Sequence, residues 1–191
     1  MREQIISLAQ LQPADRALDI GAGTGLLTLT AATQVRHVTA LDNSPAMCAH
    51  LHAKLTFLRT GNVDVLVGEA TELPVADGSV DVVLSNYCLH HLRDADKRQA
   101  LAEAWRVLRP GGRIVIGDIM FHLGLSSARD RALIARLAGS MLRSGPAGLL
   151  RLVKNATRVM TGRGEHPASA DWLQHALQAE GFSEVITHTR S

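Results

Sequence analysis

Residues 17–25 constrain the fold more than any other stretch of the chain. Residues 17–20 form a short, mostly apolar run that suits a buried strand, and glycines then follow at every second position, Gly21, Gly23 and Gly25. Glycine is favoured in a tight turn because it adopts positive φ, and its missing Cβ lets a ligand approach the backbone. The stretch therefore predicts a strand, a turn and then a helix, either around a bound ligand or as a plain connection.

The rest of the chain alternates apolar runs with stretches of helical spacing. Further strands are predicted at residues 37–41, 63–67, 80–86 and 113–118. Helices are predicted over residues 2–11, from residue 26 onward, over 45–58 with Ser44 as N-cap and Met47 in its core row, from Asp94 as N-cap to 110–112, and from Ser169 to Gly181. Residues 182–187 predict one more strand.

Five strands separated by helices favour a parallel sheet that is covered on both faces. Because crossovers between parallel strands are right-handed, the sequence predicts a doubly wound α/β fold. Ligands bind such sheets at the carboxyl ends of the strands. The polar motifs of this chain follow those ends, at the glycines, at Asp42, at Glu69, at residues 86–91 and at Asp118.

Composition favours one globular domain over residues 1–191. Of the 191 residues, 46% are hydrophobic and 20% are charged, which excludes a disordered chain. No apolar run is long enough to span a membrane, and the first residues lack the apolar core of a signal peptide, so we expect a soluble cytoplasmic protein. Cys48 and Cys88 have no metal-type spacing, so neither zinc nor a disulfide is expected.

Residues 122–170 carry most of the positive charge. They hold eight basic and two acidic residues, a net charge of +6, whereas the remainder carries −4. Helical spacing predicts two helices here, over residues 126–142 and 146–160, as a lid inserted over the carboxyl edge of the sheet. Such a segment recruits an anionic substrate, adsorbs to an acidic membrane surface, or is only a solvated face. With 3% aromatic residues, nucleic acid is the less favoured partner.

The glycine spacing distinguishes between adenosine ligands. A dinucleotide fingerprint is G-x-G-x-x-G, which rests a pyrophosphate on a helix N-terminus; here the pattern from Asp19 is D-x-G-x-G-x-G. This pattern resembles motif I of the class I S-adenosylmethionine-dependent methyltransferases. The resemblance implies a Rossmann-like methyltransferase fold, S-adenosylmethionine as cofactor, and a cofactor-binding loop with Asp19, Gly21, Ala22, Gly23 and Gly25.

Three further stretches resemble this family, in the family's order. The resemblance implies that Asp42, with Asn43 beside it, binds the ribose hydroxyls, and that Glu69 and Ala70 face the adenine. The family more often has Asp at the position of Glu69. Residues 106–112 resemble the structural turn of the branch that includes ubiquinone- and menaquinone-biosynthesis enzymes. Asn86 at the end of the fourth strand is a further expected cofactor contact. The family adds a final antiparallel strand beyond residue 187, so either the sheet is shortened or the sequence lacks its terminus.

His90, His91 and Asp118 are the candidate catalytic residues. Histidine suits a general base near neutral pH, and two histidines followed by Asp118 on the next strand resemble sugar O-methyltransferases. A packing or cofactor-loop role is the open alternative for this pair. We expect methyl transfer to a small-molecule or lipid-like acceptor, at oxygen rather than carbon or nitrogen and without a metal. The alternatives are a catalytically silent S-adenosylmethionine-binding partner protein and a nicotinamide-dependent reductase.

Overall fold

The structure, a computed structural model, describes residues 2–118 and 166–188. Its elements in chain order are α1 (Arg2–Ala9), β1 (Arg16–Ile20), α2 (Leu26–Ala32), β2 (His37–Asp42), α3 (Pro45–Leu58), β3 (Val63–Val67), β4 (Val80–Asn86), a 3₁₀-helix (Leu89–His91), α4 (Asp94–Val107), β5 (Leu108–Gly117) and α5 (Ala170–Glu180). The predicted helices over residues 126–142 and 146–160, and the lid they were expected to form, lie outside the described residues.

The described strands form one parallel sheet in the order β3-β2-β1-β4-β5. The chain runs outward from β1 to β3 on one side and then returns to add β4 and β5 on the other. This reversal beside β1 confirms the predicted doubly wound fold. It also creates a crevice between the ends of β1 and β4, which is where doubly wound sheets bind their ligands.

Both faces of the sheet are covered by helices. Leu18 and Val83 face α4 and α5, whereas Ala17, Val82 and Leu84 face α1 and α2. Residues 80–85 of β4 are all buried, as expected of a strand in the middle of a parallel sheet. The apolar runs of the sequence therefore reflect burial on both faces.

The strand register brings the carboxyl ends together. Ile20 of β1 pairs with Leu41 of β2 and with Ser85 of β4. Asn86, the next residue of β4, pairs with Gly117 of β5. The residues that follow these positions, including the glycine turn and Asp118, consequently meet at one edge of the sheet.

The predicted strand over residues 182–187 is wrong. In the structure these residues have no strand conformation, and Ile186 is 68% exposed. Phe182 alone of this segment is buried, with its ring edge-on to Trp105 at 4.8 Å between centroids. An apolar pattern makes a segment suitable for pairing, but a strand forms only where a partner strand lies beside it.

Details of two helices also differ from prediction. The N-cap of α4 is Arg93; Asp94 is its first helical residue, where it accepts a hydrogen bond from Lys97 Nζ at 2.9 Å. The helix ends at Val107, because residues 108–112 already belong to β5. Met47 is 41% exposed rather than part of the core, because only the middle of the apolar row of α3 is buried. Ser44, by contrast, caps α3 as predicted, accepting from Met47 N at 3.4 Å.

Candidate functional site

The glycine turn after β1 has the conformation that its sequence predicts. Gly21, Gly23 and Gly25 all have positive φ, from 52° to 76°. A Cβ on Gly21 would lie 2.5 Å from Cys88 Sγ, and one on Gly25 would overlap Leu51. A Cβ on Gly23 would instead meet open space. Gly21 and Gly25 are thus required by close packing as well as by backbone conformation, whereas Gly23 is required by conformation and borders the open side.

Asp42 fixes this turn to the end of β2. Its Oδ2 accepts a hydrogen bond from Gly23 N at 2.8 Å, and its Oδ1 accepts from Ser44 N at 2.9 Å. The backbone amide of Gly21 also donates to Leu41 O at 2.8 Å. A carboxylate has about four acceptor positions, so each Asp42 oxygen can accept a further hydrogen bond. The turn and the predicted ribose-binding side chain therefore form one unit.

The loop between β3 and β4 brings Glu69 and Ala70 to the same edge. Gly68 N donates to Asp42 O at 3.1 Å, which ties the start of the loop to β2. Asn43 Nδ2 donates to Glu69 Oε2 at 3.5 Å. The two residues expected to face adenine therefore lie beside the two expected to face ribose.

A cavity of about 320 Å³ lies between these segments. Seven of the predicted site residues line it: Gly21, Gly23, Asp42, Asn43, Glu69, Ala70 and His91. Six others do not contribute to its wall: Asp19, Ala22, Gly25, Asn86, His90 and Asp118. The sequence motifs therefore converge on one cavity. Several of the expected site residues lie outside its wall, where they contact the segments that form it.

Asp19 is one of these supporting residues. It is 1% exposed, and its Oδ2 accepts a hydrogen bond from Thr28 Oγ1 at 2.5 Å. Burial raises the pKa of Asp19 to about 6, against the lowering effect of the Thr28 hydrogen bond. Asp19 thus joins the end of β1 to α2 beneath the glycine turn.

The two adjacent histidines have different surroundings. His91 lines the cavity. His90 is buried, its Nδ1 donates to Asp118 Oδ1 at 2.6 Å, and its backbone N donates to Asp118 Oδ2 at 2.9 Å. Because an ionised carboxylate only accepts hydrogen bonds, Asp118 selects the tautomer with a proton on Nδ1, which leaves Nε2 as the basic nitrogen. The two rings lie 4.0 Å apart between centroids.

Asn86 carries an unsatisfied polar atom at the end of β4. Its Oδ1 is buried and has no hydrogen-bond partner within the part of the chain that the structure describes. A Cβ on Gly117 would lie 3.2 Å from this oxygen, so Asn86 Oδ1 faces the end of β5. A buried acceptor that has no donor costs about 1–3 kcal/mol.

Sequence reasoning missed Tyr87 and Cys88, which also line the cavity. Tyr87 has φ of 55°, a rare conformation for an aromatic residue, and Gly117 O accepts a hydrogen bond from its backbone N at 2.8 Å. Burial, reinforced by the nearby Asp118 charge, raises the pKa of the Cys88 thiol to about 12, so this side chain stays neutral. The signal in the sequence that could have identified them is their position between Asn86 and His91, two residues already expected at the site.

Two searches of the described residues found nothing further. Within residues 2–118 and 166–188, no group of three or more His, Cys, Asp or Glu side chains has an arrangement that could hold a metal ion. No helix in the same part of the chain is long and apolar enough to cross a membrane.

Comparison with known proteins identifies the family. Residues 18–116 match the methyltransferase domain family, which is more than half of the chain. The chain therefore belongs to the methyltransferase domain family. The family membership predicted from the glycine spacing is confirmed.

Relatives support this membership. The chain is 37% identical over 117 residues to arsenite methyltransferase of Halobacterium salinarum, covering 60% of this chain and 29% of that protein. It is 35% identical over 117 residues to demethylmenaquinone methyltransferase of Renibacterium salmoninarum, covering 61% and 46%. The matched part thus spans about half or less of these relatives. The second relative supports in part the predicted resemblance to the quinone branch.

A solved structure supports the fold. The YcgJ protein of Bacillus subtilis matches with a TM-score of 0.71 at 23% identity, covering 94% of this chain and 66% of that one. At this identity the match concerns the fold alone, and it agrees with the Rossmann-like methyltransferase fold expected from the sequence.

Proposed function

We propose that this protein is an S-adenosylmethionine-dependent methyltransferase that acts on a small-molecule or lipid-like acceptor, with oxygen favoured as the methylated atom. The observation that carries the proposal is the convergence of the glycine turn, Asp42, the Glu69–Ala70 pair and His91 on one cavity. These four segments are distant in sequence, and a plain β-to-α connection does not require them to share a cavity.

The residues present suit S-adenosylmethionine. A cavity of about 320 Å³ lies within the range of small-molecule sites. When bound, S-adenosylmethionine supplies a methyl group on a positively charged sulfur. Asp42 and Glu69 give the cavity a negative character that favours such a cation, and Asp42 retains acceptor positions for two ribose hydroxyls.

The glycine turn disfavours a nicotinamide dinucleotide. A dinucleotide fingerprint has its glycines in the pattern G-x-G-x-x-G, which rests a pyrophosphate on the helix N-terminus. Here the third glycine is Gly25, one position earlier, and α2 begins with Leu26. The reductase alternative is therefore the less favoured one.

The histidines support transfer to a hydroxyl. A hydroxyl acceptor must lose a proton, and His91 is the member of the pair that lines the cavity. We assign proton acceptance to His91, with the His90–Asp118 pair as positioning residues that fix the turn on which His91 lies. The chain's remaining contribution is to hold donor and acceptor in line and to exclude water.

The basic segment 122–170 bears on the acceptor. Its net charge of +6 favours an acceptor that is anionic or that lies at an acidic membrane surface. Nucleic acid stays the less favoured partner, because aromatic residues make up only 3% of the chain.

Calorimetry tests the cofactor. We expect binding of S-adenosylmethionine and S-adenosylhomocysteine, no binding of NADH, and an affinity at least about tenfold lower in Asp42→Ala, because charge-assisted hydrogen bonds are lost. Asp64→Ala removes the same charge from an exposed position of β3 and serves as the control. An Asp42→Ala affinity within twofold of the wild type would contradict the ribose assignment.

Turnover distinguishes the enzyme from a silent cofactor-binding partner. The measurement is release of S-adenosylhomocysteine with panels of hydroxylated, aminated and quinol acceptors. A catalytically silent protein would bind S-adenosylmethionine and S-adenosylhomocysteine in calorimetry but would release no product with any class of acceptor.

A further inference from the structure

We propose that Arg106 is a positioning residue for the adenosine half of the ligand. Through its hydrogen bonds, together with Glu103, it holds the loop between β3 and β4 in the conformation that presents Glu69 and Ala70 to the cavity. The inference rests on the proposed function, because it concerns the same cofactor.

Every N–H of the Arg106 guanidinium has a partner. Nε donates to Glu103 Oε1 at 2.7 Å, and Nη2 donates to Glu103 Oε2 at 2.6 Å and to Leu73 O at 3.0 Å. Nη1 donates to Val75 O at 2.9 Å and to Asp77 Oδ1 at 2.5 Å. Five donors are the full capacity of this side chain. Three of the five bonds go to the loop and two go to Glu103 on the same helix.

Glu103 completes the connection. Its Oε2 also accepts a hydrogen bond from Leu73 N at 2.7 Å, so the pair binds both the amide and the carbonyl of one loop residue. The hydrogen bonds from Arg106 hold the pKa of the Glu103 carboxyl below its ordinary value, so this acceptor remains ionised throughout the neutral range.

The loop depends on contacts of this kind because it has little structure of its own. Between β3 and β4 the loop pairs with itself through an isolated bridge between Glu69 and Glu72 and one hydrogen bond from Val75 N to Leu73 O at 2.7 Å. Its other backbone hydrogen bonds lie at its two ends, from Gly68 to β2 and from residues 78 and 79 to the end of α4. Leu73, the residue held at both backbone groups, lies three positions after Ala70, and both are buried. Helix α4, in contrast, is anchored in the core by Leu101 and Val107. A helix anchored in the core therefore fixes a loop that carries three cavity-lining residues, Gly68, Glu69 and Ala70.

The contacts of Arg106 indicate a local effect. The side chain is 32% exposed, and its ion pair with the exposed Asp77 is worth little. Loss of the Arg106 side chain should therefore make the loop more mobile and leave the sheet and helices intact. The expected consequence is a selective loss of adenine recognition.

The test compares Arg106→Ala with Arg98→Ala. Arg98 lies on the same helix, and its guanidinium lies 5.8 Å from the Trp172 ring centroid. The Arg98→Ala substitution therefore removes the same charge without removing a hydrogen bond to the loop. Affinities are measured for S-adenosylhomocysteine and for S-inosylhomocysteine. The second ligand lacks the adenine amino group, from which the Glu69 carboxylate is expected to accept a hydrogen bond. Hydrogen exchange of the peptide covering residues 68–79 reports on the loop itself.

We expect the wild type and Arg98→Ala to prefer S-adenosylhomocysteine. In Arg106→Ala the affinity for S-adenosylhomocysteine should fall by about tenfold, and the ratio of this affinity to that for S-inosylhomocysteine should decrease. Hydrogen exchange should rise within residues 68–79 alone. Arg106→Lys keeps the charge but lacks the five donors of the guanidinium, so its loss of affinity for S-adenosylhomocysteine should be intermediate. This variant keeps the inference testable if the alanine variant does not fold.

Two results would overturn the inference. One is an Arg106→Ala protein with wild-type affinity and preference. The other is an equal loss for both analogues in both Arg106 variants with exchange raised throughout, which would indicate a general structural role. Failure of the wild type to bind S-adenosylhomocysteine would instead refute the proposed function, and with it this inference, before any variant is compared.

Discussion

Replacing Asp19 with asparagine should stabilise the protein at neutral pH and leave its stability near pH 4 unchanged. Asp19 is almost completely buried, and its pKa is raised by that burial from the ordinary 3.8 to about 6. The hydrogen bond from Thr28 opposes this rise without cancelling it. Ionised Asp19 is therefore a cost to folding at pH 7.

The pKa difference gives the magnitude. Between about pH 4 and 6 the folded state keeps a proton on Asp19 that the unfolded state has released, so the free energy of unfolding falls as pH rises. The step from 3.8 to about 6 corresponds to about 3 kcal/mol, lost in full by about pH 7. Asparagine has the same shape, is neutral at every pH and can accept the Thr28 hydrogen bond.

Urea unfolding at pH values from 4 to 8 measures the effect. We expect Asp19→Asn to exceed the wild type by up to about 3 kcal/mol at pH 8, with the difference vanishing near pH 4. Asp64→Asn, at a side chain that is 72% exposed, should change stability by less than about 1 kcal/mol. A variant that is less stable than the wild type at pH 8, or a difference independent of pH, would refute the reasoning.

Three other predictions follow from the site. Gly25→Ala should cost about 3 kcal/mol of stability in chemical unfolding because its Cβ would overlap Leu51, whereas Gly23→Ala, with open space around its Cβ, should cost about 1 kcal/mol; equal costs would contradict the packing argument. Replacing both His90 and His91 with alanine should lower turnover by about 100-fold or more, and a loss under tenfold would exclude general-base catalysis. Charge reversal in the basic segment should weaken binding to anionic vesicles or acidic acceptors, and the variant to test replaces Arg151, Lys154 and Arg158 with glutamate. Unchanged binding would indicate that these side chains form only a solvated face.

The sheet and its ligand edge could be predicted because their determinants are local. Apolar runs mark strands that are buried on both faces, and the glycine turn marks the end of β1. Parallel strands present their carboxyl ends at one edge, so the convergence of Asp42 and Glu69 with the glycines follows from the fold class. The strand at residues 182–187 could not be judged in this way, because pairing depends on which strand lies beside the segment.

The division of roles between the two histidines was not readable from the sequence. In a 3₁₀-helix successive side chains point about 120° apart, so adjacent residues face different surroundings. His91 consequently lines the cavity, while His90 turns towards Asp118. The contacts of Arg106 were hidden for a related reason, since its loop partners lie about 30 positions earlier in the chain. Side-chain contacts across such separations are a property of the folded chain.

The three segments that face the cavity are held by the same device. A carboxylate accepts a backbone N–H from each: Asp42 from Gly23, Glu103 from Leu73, and Asp118 from His90. Such hydrogen bonds are stronger than neutral ones, and they fix each segment without help from a ligand. Binding then has less conformational entropy to overcome, because the segments that would contact the ligand are already ordered. Each of these three carboxylates therefore orders the protein's own backbone, and Asp42, which also lines the cavity, keeps acceptor positions for the ligand.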